Sequence, residues 1–325
     1  MPLEIGLIGA TALAERTLLQ QGVGITAVAA SDPVRAKEYA NRHGIPVVHD
    51  SYAALLADPA IDAVYISEHN AAHHRWAVRA AVAGKHVIVE KPLCLTADEV
   101  DELAFAAADV KVFEAVPTAD HPWQRTVHEF IDEEPYGSLL SATTRMTFAE
   151  RPAPAVLTSA AVPLGGGVFF DAASYWLQAI QATIGLDPVI AEGRSDFDGP
   201  HGVDCSFEAS LRWATDVSAT LIADVGDQDF SEHVFTFERA TVTLRDFFRP
   251  LAGPAGLALI VTPADGDCRE IEFPPVAYYE HQLARILDST TDDLAAAVPR
   301  ITLMDEIYAD AVRRHAAERP GVATR

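Results

Sequence analysis

The stretch Val87-Ile88-Val89-Glu90-Lys91-Pro92 decides the fold. A short apolar run that stops abruptly reads as a strand buried on both faces, and it plants a lysine where that strand ends. Burying an ammonium is costly, so a lysine held at the carboxyl end of an inner strand is either paired or put to chemical use. Pro92 fixes the backbone direction as the chain leaves the sheet and biases Lys91 towards an extended conformation, so the ammonium is aimed.

Working outward, strands and helices alternate. Glu4 to Ala10 reads as a strand, Thr11 to Gln21 as a helix, Ile25 to Ala30 as a strand, and Pro33 to His43 as a helix. The pattern continues with strands at Pro46–Val48 and Ala63–Ser67 and helices at Tyr52–Leu56 and Ala72–Ala83. Apolar strands alternating with helices at this spacing predict a parallel sheet covered on both sides, with ligands outside the carboxyl ends of the strands. Gly9, Asp32, Glu68 and Lys91 stand at such ends and are expected to share a crevice.

Beyond about residue 121 the grammar changes. Helices over Trp123–Asp132 and Phe170–Ile184 flank a strand-like Leu139–Phe148, and long alternating runs follow at Val203–Trp213, Val217–Ala223, His233–Arg239, Ala240–Arg245 and Leu257–Thr262. Such alternation suggests a large, mostly antiparallel open sheet with one face packed on helices. Ile301 to Ala317 reads as an amphipathic helix. The expected fold class is therefore α/β, with a parallel sheet in a first domain over 1–121 and an α+β second domain over 122–325 that carries the open sheet and whose last helix packs back on the first. No repeat or low-complexity linker interrupts the chain beyond a Pro/Ala patch at Pro152–Ala155.

The bulk composition bounds the function. With 325 residues, two domains are the reasonable prior, and 49% hydrophobic with 22% charged residues is the composition of a globular protein. A formal net charge of −23 repels nucleic acid and anionic membranes, so neither is an expected partner. There is no basic-then-apolar leader at Met1, and Cys94, Cys205 and Cys268 lie too far apart for a metal site. Both point to the cytoplasm. The close spacing of His69, His73 and His74 lacks the carboxylate or cysteine that would complete a metal site, so no metal is expected.

Several motifs in order carry a resemblance. They are Asp58-Pro59-Ala60-Ile61-Asp62-Ala63-Val64, Asn70 followed by His73, Ala83-Gly84-Lys85-His86-Val87, Glu90-Lys91-Pro92, His121-Pro122, and Gly165-Gly166-Gly167 leading into Asp171-Ala172-Ala173-Ser174-Tyr175. Over nearly its whole length the chain resembles the glucose-fructose oxidoreductase and inositol dehydrogenase family, Gfo/Idh/MocA. The tyrosine version resembles the dihydrodiol dehydrogenase, xylose dehydrogenase and nucleotide-sugar ketoreductase branches. The resemblance implies a Rossmann domain holding a nicotinamide dinucleotide and a second domain whose open sheet supports a homodimer or homotetramer.

It also implies site residues. Lys91, Asp171 and Tyr175 are the implied catalytic set, and residues four apart on a helix project from one face. Gly9, Thr11, Ala12, Ser31, Asp32, Ser67, Glu68, Asn70, His73, Glu90 and Lys91 would hold the cofactor, and His121, Lys91 and Tyr175 a small-molecule substrate. Hydride transfer at a carbonyl-bearing carbon needs a proton on or off the oxygen. Tyr175 could supply it, with Lys91 favouring the phenolate and stabilising alkoxide charge and Asp171 orienting the lysine or a substrate hydroxyl. Lys91 as the direct acid/base remains open.

Two departures qualify the resemblance. The glycine fingerprint reads Gly9-Ala10-Thr11-Ala12-Leu13-Ala14, with a threonine where backbone closely approaches a pyrophosphate. Ser67-Glu68-His69-Asn70 replaces the family's usual Thr-Pro-Asn. An aspartate at 32 accepts from ribose hydroxyls and repels a 2′-phosphate, favouring NAD over NADP. The expected function is an NAD(P)-dependent oxidoreductase acting on a secondary alcohol or ketone of a sugar, cyclitol or nucleotide-linked sugar. Thr11 and Glu68 sustain an alternative: a relative with a degraded dinucleotide site, acting as a non-redox isomerase or lyase or as a binding partner.

Overall fold

A computed structural model describes residues 3–149, 165–290 and 292–318, and the Pro152–Ala155 patch lies outside them. The chain forms two compact units, one comprising Met1–Pro117 with Tyr279–Ile301 and the other Thr118–Tyr278 with Thr302–Arg325.

In the first unit, six strands form a parallel sheet: β1 (Ile5–Ile8), β2 (Ala27–Ala29), β3 (Val47–Val48), β4 (Ala63–Ile66), β5 (His86–Glu90) and β6 (Val112–Ala115), in the order β3-β2-β1-β4-β5-β6. All four residues of β1, β4 and β6 are buried, which is why they read as continuous apolar runs. The connecting helices are α1 (Ala12–Thr17), α2 (Pro33–His43), α3 (Tyr52–Leu56), α4 (Asn70–Val82) and α5 (Ala97–Ala106). The strand order reverses at β1, so the ligand crevice of such a sheet opens between the ends of β1 and β4. The expected helix over Thr11–Gln21 is shorter than its pattern suggests: α1 stops at Thr17, and a 3-10 turn over Leu19–Gln21 tightens into Gly22, which takes a left-handed φ of 76°. Leu283 and Ile286, from the returning segment 279–301, lie in the same buried cluster as Leu7, Val28, Tyr65 and Ile88.

The second unit is built on an eight-stranded sheet in the order β14-β13-β12-β11-β7-β10-β9-β8. Its strands are β7 (Leu139–Ala149), β8 (Ile190–Arg194), β9 (Ser206–Arg212), β10 (Ser218–Gly226), β11 (Phe230–Phe237), β12 (Ala240–Arg245), β13 (Ala255–Pro263) and β14 (Arg269–Val276). The strands pair antiparallel except β7 with β10, which run parallel because β7 is inserted between the two hairpin systems. Alternation is clean: Phe207, Ala209 and Leu211 of β9 and Ala219, Leu221 and Ala223 of β10 are buried, while their neighbours face the other side. Helices α6 (Pro122–Glu133) and α7 (Val168–Thr183) belong to this unit, and α7 is buried along almost its whole length. Strands β8 and β14 had no clear sequence signal, since both are edge strands with mostly exposed or half-buried residues.

Candidate active site

Six predicted residues stand at carboxyl ends of strands in the first unit. Gly9 follows β1, Ser31-Asp32 follows β2, Ser67-Glu68 follows β4, and Lys91 follows β5. Gly9 takes φ +100°, and a Cβ there would lie 2.2 Å from the Ser67 carbonyl oxygen, so the turn after β1 closes on the β4 loop only without a side chain. Two side chains of α2 hold this turn from behind: Arg35 Nη2 donates to Ala10 O at 2.6 Å and Tyr39 Oη to Thr11 O at 3.2 Å.

Thr11 neither blocks the turn nor points outward. It is the N-cap of α1, where its hydroxyl accepts from Ala14 N at 3.0 Å and shares a 2.6 Å hydrogen bond with Ser67 Oγ. The amides of Ala12 and Leu13 lie in the first turn of α1, where the helix offers them no acceptor. A close backbone approach at Gly9 and a helix start with its side chain folded away therefore fit a dinucleotide pyrophosphate.

Glu68 leans back over the same turn. Its Oε1 lies 3.0 Å from where a Gly9 Cβ would stand, and it accepts a hydrogen bond from Tyr52 Oη. Burial and the Glu68 carboxylate both raise the Tyr52 phenol above its usual range. Asp32 caps α2 through a 2.8 Å bond from Val34 N and is exposed. Asn70 opens α4, with His69 as its N-cap residue.

His73 is fully buried, with Nδ1 2.7 Å from Pro92 O and Nε2 3.0 Å from Glu68 O. Two carbonyls favour an imidazolium, whereas burial disfavours it more strongly, and nearby His69 and Lys91 add to the depression. The ring's pKa falls to about 4. The neutral ring donates one N–H, which we place on the shorter contact to Pro92.

Glu90 turns inward. Tyr65 Oη donates to it at 2.6 Å and is itself 3.2 Å from Thr17 Oγ1, and burial raises the Glu90 pKa against the lowering effects of Tyr65 and Lys91. Lys91 itself is half-buried, and its peptide bond to Pro92 is cis. Lys85 of the Gly-Lys-His motif has a structural role that sequence reasoning passed over. Its ammonium donates to Asp58 O at 2.8 Å and Ile61 O at 2.7 Å, pinning the loop before β4.

The second unit holds the other predicted residues. Asp171 lies in the first turn of α7 and Tyr175 one turn later, half-buried and buried respectively, with the Tyr175 ring edge-on to Phe248 at 5.0 Å. The helix start is built by Asp204. Fully buried, it accepts from Phe169 N at 2.7 Å through its carboxylate, and its carbonyl accepts from Val168 N at 3.0 Å. Gly167, at φ +115°, is required here, because a Cβ would lie 2.0 Å from Asp204 Oδ1. Burial, with the Asp171 charge adding to it, pushes the Asp204 carboxyl up to about 7.

His121 caps α6, accepting from Trp123 N at 3.3 Å, and its ring packs edge-on against Phe273 and Tyr278 at 5.6 and 5.9 Å. Tyr278, absent from the sequence prediction, links His121 to Tyr175. Its phenol is raised by burial and by the neighbouring Tyr175, and its hydroxyl has no hydrogen-bond partner among the described residues. Only its place at the end of an apolar-aromatic run, Val276-Ala277-Tyr278-Tyr279, could have marked it. Among the described residues no group of three or more His, Cys, Asp or Glu is placed to hold a metal, and no helix is long and apolar enough to cross a membrane.

Comparison with known proteins agrees with this architecture. Residues 3–116 match the profile described as "Oxidoreductase family, NAD-binding Rossmann fold", and residues 124–242 that of the "GFO/IDH/MocA C-terminal domain". A protein of Rhizobium meliloti named only as an uncharacterized oxidoreductase is 30% identical over 253 residues, covering 75% of each chain. The D-xylose 1-dehydrogenase (NADP(+)) 2 of Haloferax volcanii is 34% identical over 198 residues, covering 60% of each. Among solved structures, KijD10, a 3-ketoreductase from Actinomadura kijaniata in complex with NADP and TDP-benzene, shares the fold with a TM-score of 0.84 at 23% identity, covering 95% of this chain and 98% of that one. On these matches the chain belongs to the GFO/IDH/MocA family of NAD(P)-dependent oxidoreductases.

Proposed function

We propose that this oxidoreductase moves a hydride to or from a secondary alcohol or ketone of a sugar, cyclitol or nucleotide-linked sugar, with Lys91, Asp171 and Tyr175 meeting the substrate. The observation that carries it is Lys91 itself: a half-buried lysine at the carboxyl end of an inner strand, two strands along the same sheet from the turn that fits a pyrophosphate. The nicotinamide supplies or accepts the hydride when bound. Tyr175 moves the proton at the substrate oxygen, Lys91 stabilises the developing alkoxide, and Asp171 orients one of them. Tyr278, packed beside Tyr175 and His121, shapes the substrate end of the second unit.

NAD is the proposed cofactor. Asp32 Oδ1 is committed to Val34 N, and its second oxygen is the acceptor for ribose hydroxyls. Arg35 is tied to Ala10 O, and it is the cation that a 2′-phosphate would meet. Titration of nicotinamide fluorescence with NADH and NADPH separates the two, and tighter NADPH binding overturns the preference. The solvent-side face of the eight-stranded sheet, with Thr143, Thr220, Ile222, Val234 and Ile260 only half-buried, is the expected homo-oligomer surface, which light scattering checks.

The reaction is tested by following absorbance with NAD+ and NADP+ against D-xylose, other aldoses, inositols and a dTDP-linked hexose, comparing the unaltered protein with Lys91→Met and Tyr175→Phe. Turnover lost in Lys91→Met with NADH binding retained supports the assignment. Full activity in Lys91→Met overturns it, and a protein that binds neither dinucleotide overturns the redox reading altogether.

A further inference from the structure

The two residues that follow Lys91 are gripped from two different elements. On one side the His73 ring of α4 meets Pro92 O at 2.7 Å. On the other, Glu114 of β6 accepts from Leu93 N through Oε1 at 3.3 Å, while its Oε2 receives Arg300 Nη2 at 2.6 Å. Glu114 is 2% and Arg300 7% exposed, so this ion pair is buried, and Arg300 Nη1 also donates to Ala296 O at 3.1 Å. Pro92 and Leu93 are themselves buried.

A buried ion pair is weak evidence for stability, because desolvating both charges offsets their attraction, and apolar residues of similar volume often do as well. Something other than stability must then account for a carboxylate at this position. Its second oxygen has a specific task that no apolar side chain could do, which is to accept the amide two residues beyond Lys91. With His73 at the Pro92 carbonyl and Glu114 at the Leu93 amide, the single peptide unit joining Pro92 to Leu93 is held at both its oxygen and its nitrogen.

We propose that Glu114, oriented by Arg300, is a positioning residue for Lys91, working with His73 as the opposite side of one clamp. The inference rests on the reading that Lys91 acts in the reaction. A fixed departure of the backbone limits where the ammonium can stand, and small misplacements of a reacting group are costly in rate. The pairing was invisible in the sequence because Arg300 and Glu114 lie 186 positions apart and neither residue type names its partner.

The test crosses stability against position. Lys91 placement is read as the rate of its acylation by acetic anhydride relative to exposed Lys37, quantified by mass spectrometry, alongside thermal unfolding and turnover on any sugar active in the panel above. Glu114→Gln keeps an oxygen for Leu93 N but loses the ion pair, so it should lower the melting temperature and leave the Lys91:Lys37 ratio within about twofold. The double variant Glu114→Leu with Arg300→Met restores apolar packing but removes the acceptor. It should keep the melting temperature while the ratio changes by about threefold or more and turnover falls by about tenfold or more. His73→Leu, which opens the other side of the clamp, should move the ratio too, and it decides the matter if the double variant does not fold. A ratio that simply follows the melting temperature across the set, or stays constant throughout, overturns the proposal. Lys91→Met isolates the underlying reading: if it turns over normally, that reading fails, whatever the acylation ratios show about the clamp.

Discussion

His73 makes acid stability a direct measurement of how the loops after β4 and β5 are tied. Its pKa lies at about 4 in the folded protein against 6.5 for an ordinary histidine, with burial the leading cause. The folded value is depressed, so the stabilisation is fully present above about pH 6.5 and is lost as the pH falls towards 4. Between about pH 7 and about pH 5 the unfolded chain takes up most of a proton that the folded chain refuses, and linkage puts the loss at about 2 kcal/mol. Replacing His73 with Gln removes the titrating group while keeping an amide that can reach a carbonyl. The variant is expected to be less stable at neutral pH yet to lose about 2 kcal/mol less than the unaltered protein over that interval. Urea unfolding at the two pH values, followed by circular dichroism, provides the comparison. Other titrating groups, the buried Glu90 and Asp204 included, are common to both proteins and cancel. If both lose the same stability, the two carbonyls at 2.7 and 3.0 Å hold the imidazolium well enough to compensate its burial, and the electrostatic reasoning fails.

Other outcomes follow from the same geometry. Gly9→Ala puts a methyl 2.2 Å from Ser67 O at φ +100° and should cost about 2–5 kcal/mol, seen as a lower melting temperature and loss of stabilisation by NADH; an unchanged melting curve would contradict the close approach. Glu68→Gln removes a carboxylate beside the Gly9 turn and should tighten NADH by about threefold at low salt, an effect that shrinks as salt is raised. Tyr278→Phe deletes a buried hydroxyl with no partner among the described residues, so stability should rise by about 1 kcal/mol while KM for the sugar increases; a stability loss would mean that the hydroxyl is already satisfied.

The legible part of the site was the part carried by local grammar. Gly9, Asp32, Glu68 and Lys91 could be placed at strand ends because each follows a short apolar run, and the four-residue spacing of Asp171 and Tyr175 put them on one helical face. What local grammar could not supply was orientation. Thr11 read as an obstacle to a pyrophosphate, yet its hydroxyl is folded back as a helix cap onto Ala14 N and Ser67. Glu90, expected to meet the cofactor beside Lys91, is bonded to Tyr65 in the interior. Neighbouring residues at the end of a strand point to opposite faces, and which face is dry depends on what packs there.

The sequence by itself determined the parallel first unit, the alternating second one, and the lysine that ends β5, because hydrophobic periodicity is a local property written residue by residue. Only the tertiary structure decided the parallel β7–β10 pair, the return of residues 279–301 to the first unit, the Asp204 cap that starts α7, and the clamp of His73, Glu114 and Arg300 behind Lys91. Each of these joins groups far apart in the chain through one or two directional hydrogen bonds. Such bonds leave no period in the sequence, since a single buried polar side chain looks the same wherever its partner lies.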